Sequence, residues 1–279
     1  MRKKYEDDPL YTPGRSFEET KRLQQQANLF EPSTRKLFEV AGIKAGMKVL
    51  DVGSGAGDVA MLAAKLVGPT GRVVGVDKNP AILKIARQRA AGLKNVTFLE
   101  GDIRDIALES DFDAAVGRFA LVYIADQAAA LQTIARHLGP EGILAFQELD
   151  LSLSESVSAN ENIASLCRQF FLWALEAYSH AGSPTQMSVQ LPKAFRRAGL
   201  PLPQLGLDAI AGAGEQWEEG YDLVAETLRS LLPIIVQFGI TTEKEADVET
   251  YAERLRAEAV SQHKLVVGPM MISAWTRKT

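Results

Sequence analysis

Between Val49 and Asp58 the chain reads Val-Leu-Asp-Val-Gly-Ser-Gly-Ala-Gly-Asp: an apolar run that delivers an acid, three glycines at alternate positions, and the first residue of a helix-period segment. Glycine lacks a Cβ, so such a turn can adopt backbone angles closed to other residues and let a ligand approach its amides closely. Strand, glycine turn and helix in that order make the opening unit of a parallel α/β sheet. The unit then repeats. Asp58 to Val67 reads as a helix stopped by Gly68, and Arg72 to Asp77 as a second strand. Asn79 is an N-cap with proline behind it at the first helical position, and Gly92 closes that helix. Val96 to Glu100 and Phe112 to Gly117 are the third and fourth strands, Asp126 caps a helix running to Leu138, and Ile143 to Leu149 is the fifth strand.

Beyond Asp150 the pattern changes. Asn160 to His180 is predicted as one long helical stretch, while Glu215 to Phe238 and Thr241 to Val267 are helical in period. Strand-like runs return near Gln204 to Ala211 and Pro269 to Trp275. The expected organisation is a single domain over 1–279, with added helical pieces at about 1–30, 152–190 and 215–267. A sheet of this type binds its ligand outside the C-terminal strand ends, where such pieces would form a roof. Phe17 to Phe30, with apolar Phe17, Leu23, Ala27 and Phe30, is a candidate roof piece.

Composition narrows the function. The 31 basic and 35 acidic residues give a net charge of −4, and no basic block follows Arg2-Lys3-Lys4, so nucleic acid is not an expected partner. The single cysteine, Cys167, excludes an internal disulfide and fits a reducing compartment, its plainest role being a small buried helix residue. The opening MRKKYEDDPLYTPGRS runs into acids, prolines and glycine where a secretory signal needs an apolar run. No apolar run reaches the roughly 18 residues of a membrane span. The expectation is a cytoplasmic protein without membrane contact, and no cluster of His, Cys and acid has metal-ligand spacing.

Gly55 to Ala60 also fits a G-x-G-x-x-A dinucleotide fingerprint, so an NAD-linked oxidoreductase competes for the glycine turn. The acids discriminate. Asp51, beside a loop made of Gly53, Ser54, Gly55, Gly57 and Asp58, would repel a pyrophosphate, whereas S-adenosylmethionine carries an ammonium and a sulfonium and no phosphate. Asp77, followed by Lys78, ends the second strand where a carboxylate accepts from both ribose hydroxyls, which suits either cofactor. Asp102, just past the third strand, is placed to accept from an adenine amino group, with Ile103 against the ring.

These residues resemble class I S-adenosylmethionine-dependent methyltransferases, and within them the ubiquinone/menaquinone-biosynthesis-like small-molecule group. The resemblance runs from about Phe30 to Leu151 and is carried by Asp51-x-Gly53-x-Gly55-x-Gly57, Val74-Gly75-Val76-Asp77 and Gly101-Asp102. Phe112 to Phe119, Tyr123 to Asp126 and the turn Leu138-Gly139-Pro140-Glu141-Gly142 add to it, Glu141 standing where the family usually has glycine. It implies a Rossmann-like seven-stranded sheet in the order 3-2-1-4-5-7-6, with Gln204 to Ala211 as strand six and Met270 to Arg277 as an antiparallel strand seven. It further implies that Arg118 and Phe119 face donor and acceptor, with Arg118 nearest the methionine part. Residues 151–200 and 215–267, where acceptor choice is expected to lie, are outside it.

Methyl transfer is an in-line displacement at an activated carbon, so positioning in a dry pocket supplies much of the rate and no particular base is required. Where an acceptor must lose a proton, Glu148 near the end of strand five and His180 beside the Ala181-Gly182 turn are the candidate bases, with Gln147 on the opposite face from Glu148. His137 and His263 read as helix C-terminal residues favoured by the dipole. Phe170, Phe171, Trp173, Tyr178, Trp217 and Tyr221 are core or acceptor-lining aromatics, and Tyr5 and Tyr11 are candidates to close over the cofactor. Besides the oxidoreductase, the remaining alternative is a protein that binds S-adenosylmethionine without turnover.

Overall fold

The computed structural model describes the backbone of residues 17–279 and the side chains from residue 27 onward, so Tyr5, Tyr11 and the basic start lie outside the described residues. The elements are α1 (Phe17–Ala41), β1 (Lys48–Val52), α2 (Asp58–Val67), β2 (Arg72–Asp77), α3 (Pro80–Arg89), β3 (Val96–Glu100), β4 (Phe112–Arg118), α4 (Gln127–Arg136) and β5 (Leu138–Asp150). They continue as α5 (Leu151–Ser158), α6 (Ser165–His180), α7 (Met187–Arg197), β6 (Gln204–Asp208), β7 (Ala211–Gly212), α8 (Glu218–Gln237), α9 (Glu243–Ala246), α10 (Tyr251–Ser261), β8 (Val266–Val267) and β9 (Met270–Arg277).

Seven strands form one sheet in the order β3-β2-β1-β4-β5-β9-β6, the order implied by the resemblance. Strands β1, β2, β3, β4 and β5 pair in parallel, and β9 runs antiparallel to β6. Their central members are almost wholly apolar because both faces are covered: Val49, Leu50, Val73, Val116 and Leu144 have no exposed surface. Helix starts follow the expected chemistry, with Asn79 Oδ1 accepting from Ala81 N and Asp126 Oδ1 from Ala129 N. The α3 helix stops at Arg89 with Ala90 as its cap, short of Gly92.

By contact density the chain divides into two compact units. The sheet unit takes in the described residues up to Glu148, then Met187–Asp208 and Met271–Thr279; the helical unit takes in Leu149–Gln186 and Ala209–Met270. Within the sheet unit, α1 is one continuous helix through Pro32, with Phe30, Leu37 and Phe38 buried on it. Glu141 holds φ 59, the left-handed conformation that explains the usual glycine there.

In the helical unit α6, α8 and α10 pack together, and Phe171, Tyr221 and Tyr251 are fully buried between them. The expected Asn160–His180 helix is broken: Asn160 Oδ1 turns the chain by accepting from Asn162 N, and Ala164 N donates to Leu265 O. These pairings outweigh the helical period. Strand six likewise ends at Asp208, because Ala211 and Gly212 pair instead with Val267 and Val266. Glu258 caps α6 by accepting from Ser165 N and Leu166 N, and buried Cys167 donates to Val267 O. Among the described residues no helix is long and apolar enough to cross a membrane.

Candidate functional site

At the C-terminal edge of the sheet, β1 hands Asp51 and Val52 to a turn in which Gly53, Gly55 and Gly57 have φ of 67, 48 and 88. Ser54 N donates to Val76 O at 3.0 Å and Gly55 N to Asp77 Oδ2 at 2.9 Å, so the tip of β2 holds the turn. The outer glycines are small because neighbours press on them. A Cβ on Gly53 would lie 2.9 Å from Ala120 Cβ, and one on Gly57 2.9 Å from the Phe98 ring. A Cβ on Gly55 would meet nothing within 4 Å, which leaves this stretch of backbone open to a ligand.

Four buried side-chain atoms at this corner have no hydrogen-bond partner among the described residues: both carboxylate oxygens of Asp51, Ser54 Oγ and Asn79 Nδ2. Stranding a carboxylate in this way costs several kcal/mol unless a partner arrives. Burial pushes the Asp51 carboxyl well above the usual range, Arg118 and the nearby Ala60 amide pulling against that and Asp77 adding to it, although the amide makes no hydrogen bond of proper geometry. Asp77 is buried beside it; its Oδ1 accepts from Asn79 N at 2.9 Å, while the adjacent Lys78 is exposed.

The other acids expected here are held by their own chain. Asp58 pairs with Arg89, whose guanidinium also donates to Ala56 O at 2.8 Å, so α3 clamps the glycine turn from behind. Asp102 accepts from Arg104 Nε, Nη2 and N, two residues further on, and Ile103 is buried next to it. Partial burial would raise the Asp102 carboxyl, but these bonds hold it below its ordinary range. Both oxygens of Asp102 are therefore engaged by a cation of its own loop, whereas those of Asp77 accept from the backbone amides of Gly55 and Asn79.

Arg118, at the end of β4, donates to Thr34 Oγ1 at 3.1 Å and lies over the rings of Phe30 and Phe119, at 5.7 and 5.9 Å. Burial pulls its pKa down, against the attraction of Asp58, Asp51 and Glu31. Phe119 has φ 55, a left-handed conformation strained for a bulky residue, and is held by donating its N–H to Gln147 O and by edge contact with Phe30 at 5.4 Å. Thr34 also donates to Gln147 Oε1, and Gln147 Nε2 donates to Ser33 and Ser273. This network ties α1 to β4, β5 and β9.

The two candidate bases belong to different units. Glu148 has no exposed surface, and its oxygens accept from Ala120 N, Leu121 N and Val122 N at 3.2, 2.9 and 3.2 Å. Burial lifts its carboxyl to about 8 despite those amides. It anchors the segment after the strained Phe119 and presents no oxygen to a substrate. His180 is exposed at the end of α6 in the helical unit, its ring stacked on Phe238 at 4.8 Å and 13°. Glu148 is thus engaged by backbone amides and His180 by a stacked ring. Of the aromatics, Phe170, Phe171, Tyr178 and Tyr221 are core. Among the described residues no group of three His, Cys, Asp or Glu is arranged to hold a metal.

Sequence reasoning read Asn79 only as a cap and passed over Arg89, Thr34 and the amides facing Glu148. Arg89, Thr34 and those amides act through partners far away in the chain, and spacing carries no signal for such pairs.

The strand order, the open glycine turn and the stranded carboxylate beside it define a class I S-adenosylmethionine-dependent methyltransferase sheet. A family model described as a methyltransferase domain matches residues 43–225, and the chain belongs to that family. The demethylmenaquinone methyltransferase of Staphylococcus aureus (strain JH9) is 32% identical over 111 residues, a match spanning 39% of this chain and 46% of that protein. The chain thus matches less than half the length of that relative. A Bacillus halodurans structure assigned as a methyltransferase superposes with a TM-score of 0.57 at 20% identity, over 88% of this chain and 99% of that one. Phosphoethanolamine N-methyltransferase 2 of Haemonchus contortus, solved with phosphomonomethylethanolamine and S-adenosylhomocysteine, gives 0.53 at 18% identity, over 89% and 52%. At these identities the two structures speak for the fold.

Proposed function

We propose that the protein transfers the methyl group of S-adenosylmethionine to a small-molecule acceptor by in-line displacement. The observation that carries this reading is the buried, unpartnered carboxylate of Asp51 beside an open glycine backbone. A ligand bearing an ammonium supplies the missing partner, whereas a pyrophosphate would face that carboxylate across the turn. The NAD-linked alternative therefore has only its fingerprint.

In this reading Asp51 and Ser54 hold the amino-acid end, Asp77 accepts from the ribose hydroxyls, and Ile103 packs on the adenine. Arg118 supplies the cation that a carboxylate on the same end requires. The cofactor supplies an already activated methyl carbon, so the chain's own work is orientation and exclusion of water. We assign no general base. The choice of acceptor we give to the helical unit, and the site of action to the cytoplasm.

Calorimetry separates the readings. S-adenosylhomocysteine binding in the micromolar range with no response to NADH is the expected result, and the reverse overturns it. Formation of S-adenosylhomocysteine from a metabolite panel distinguishes turnover from binding alone.

A further inference from the structure

Asn79 reads in sequence as a helix cap, and half of it is one: Oδ1 accepts from Ala81 N at 3.0 Å. That bond fixes which end of the amide is which and points the Nδ2 donors the other way. Nδ2 is buried, on a residue only 9% exposed, and has no partner among the described residues. A cap needs only an acceptor, for which serine or aspartate serves equally well. The stranded amide nitrogen is an additional feature that capping does not explain.

Its position says what it meets. Asn79 N donates to Asp77 Oδ1, and Asp77 Oδ2 accepts from Gly55 N, so Asn79, Asp77 and the open glycine form one cluster at the tip of β2. A carboxylate can only accept hydrogen bonds, and an amide nitrogen can only donate them. A ribose hydroxyl does both. Its proton suits Asp77 and its lone pairs are left for a donor, which Asp77 cannot provide.

We propose that Asn79 is the donor half of a ribose clamp, with Nδ2 donating to a sugar hydroxyl oxygen while Asp77 accepts from the vicinal diol. The clamp deepens the cofactor reading above and rests on it. A carboxylate alone accepts from any hydroxylated ligand that reaches it, whereas an acceptor and a donor side by side are matched to a hydroxyl held at one place.

The test is calorimetric and needs no acceptor. Asn79→Asp and Asn79→Ser both keep a capping oxygen, the first with the same shape and the second without added charge. Each is expected to weaken S-adenosylhomocysteine about tenfold, the scale of one buried hydrogen bond, while the thermal midpoint stays close to that of the unmodified protein. With 2′-deoxy and 3′-deoxy analogues of S-adenosylhomocysteine, the substitutions should cost less than about twofold for whichever analogue lacks the clamped hydroxyl. Affinity for S-adenosylhomocysteine within twofold of the unmodified protein in both variants overturns the clamp, as does an equal loss with both analogues. Failure of the unmodified protein to bind S-adenosylhomocysteine is a different result: it removes the cofactor reading itself.

Discussion

Polar residues along the same sheet edge fall into two groups that look equivalent in sequence. At the β1–β2 corner, Asp51, Ser54 and Asn79 each bury a polar atom with no partner among the described residues. Asp58 at the start of α2, Asp102 past β3 and Glu148 on β5 are instead met by Arg89, Arg104 and three backbone amides. The second group is complete in itself and holds loops. The first is incomplete until a ligand arrives, and a protein tolerates that cost chiefly where it binds something.

The contrast can be broken from either side. The largest effect belongs to Glu148. Its folded value of about 8 lies above its ordinary 4.5, so the folded chain keeps a proton that the unfolded chain loses. Its stabilisation is complete below pH 4.5 and disappears as pH rises through about 8, on the order of 5 kcal/mol over the window. Urea melts of Glu148→Gln across that range should show the slope flattened, with the variant less stable at low pH and more stable at high pH. Parallel curves would show that Glu148 does not titrate there.

Next in size, Asp51→Asn should weaken S-adenosylhomocysteine by roughly a hundredfold yet raise stability at neutral pH by about 1–3 kcal/mol, because burial forces the folded chain to keep a proton on Asp51 that the unfolded chain loses. A variant that loses both stability and affinity would place Asp51 among the loop-holding acids. Asp77→Ala should cost on the order of 1–3 kcal/mol of cofactor binding. The smallest effect should be that of Asp102→Asn, about threefold or less in affinity, since Arg104 already engages that carboxylate. A loss as large as that of Asp51→Asn would erase the distinction between the two groups.

How much could be read beforehand follows the same division. The elements up to β5 are legible because each βαβ unit is local: apolar runs, Asn79-Pro80 and Asp126 mark their own elements, whereas the strand order comes from the family resemblance. Asp51, Asp77 and the glycine turn were accessible for the same reason. The partners of Glu148 are not legible in its own stretch of sequence, because the amides that engage it belong to Ala120, Leu121 and Val122 on another strand's exit. Arg89 reaches Ala56 from the far end of α3, and the break at Asn160 depends on pairing with Leu265. Periodicity reports which face is buried; it does not report what is waiting there.

The most direct measurement is the proton balance of cofactor binding. Burial raises the Asp51 carboxyl, and a cationic ligand beside it must drive it to its charged form, so binding should release a proton. Titrating S-adenosylhomocysteine in buffers of different ionisation enthalpy should reveal that release in the unmodified protein and its loss in Asp51→Asn. Tight binding with no proton exchanged, and no change on substituting Asp51, would contradict the central claim that this carboxylate is the one left waiting for the cofactor.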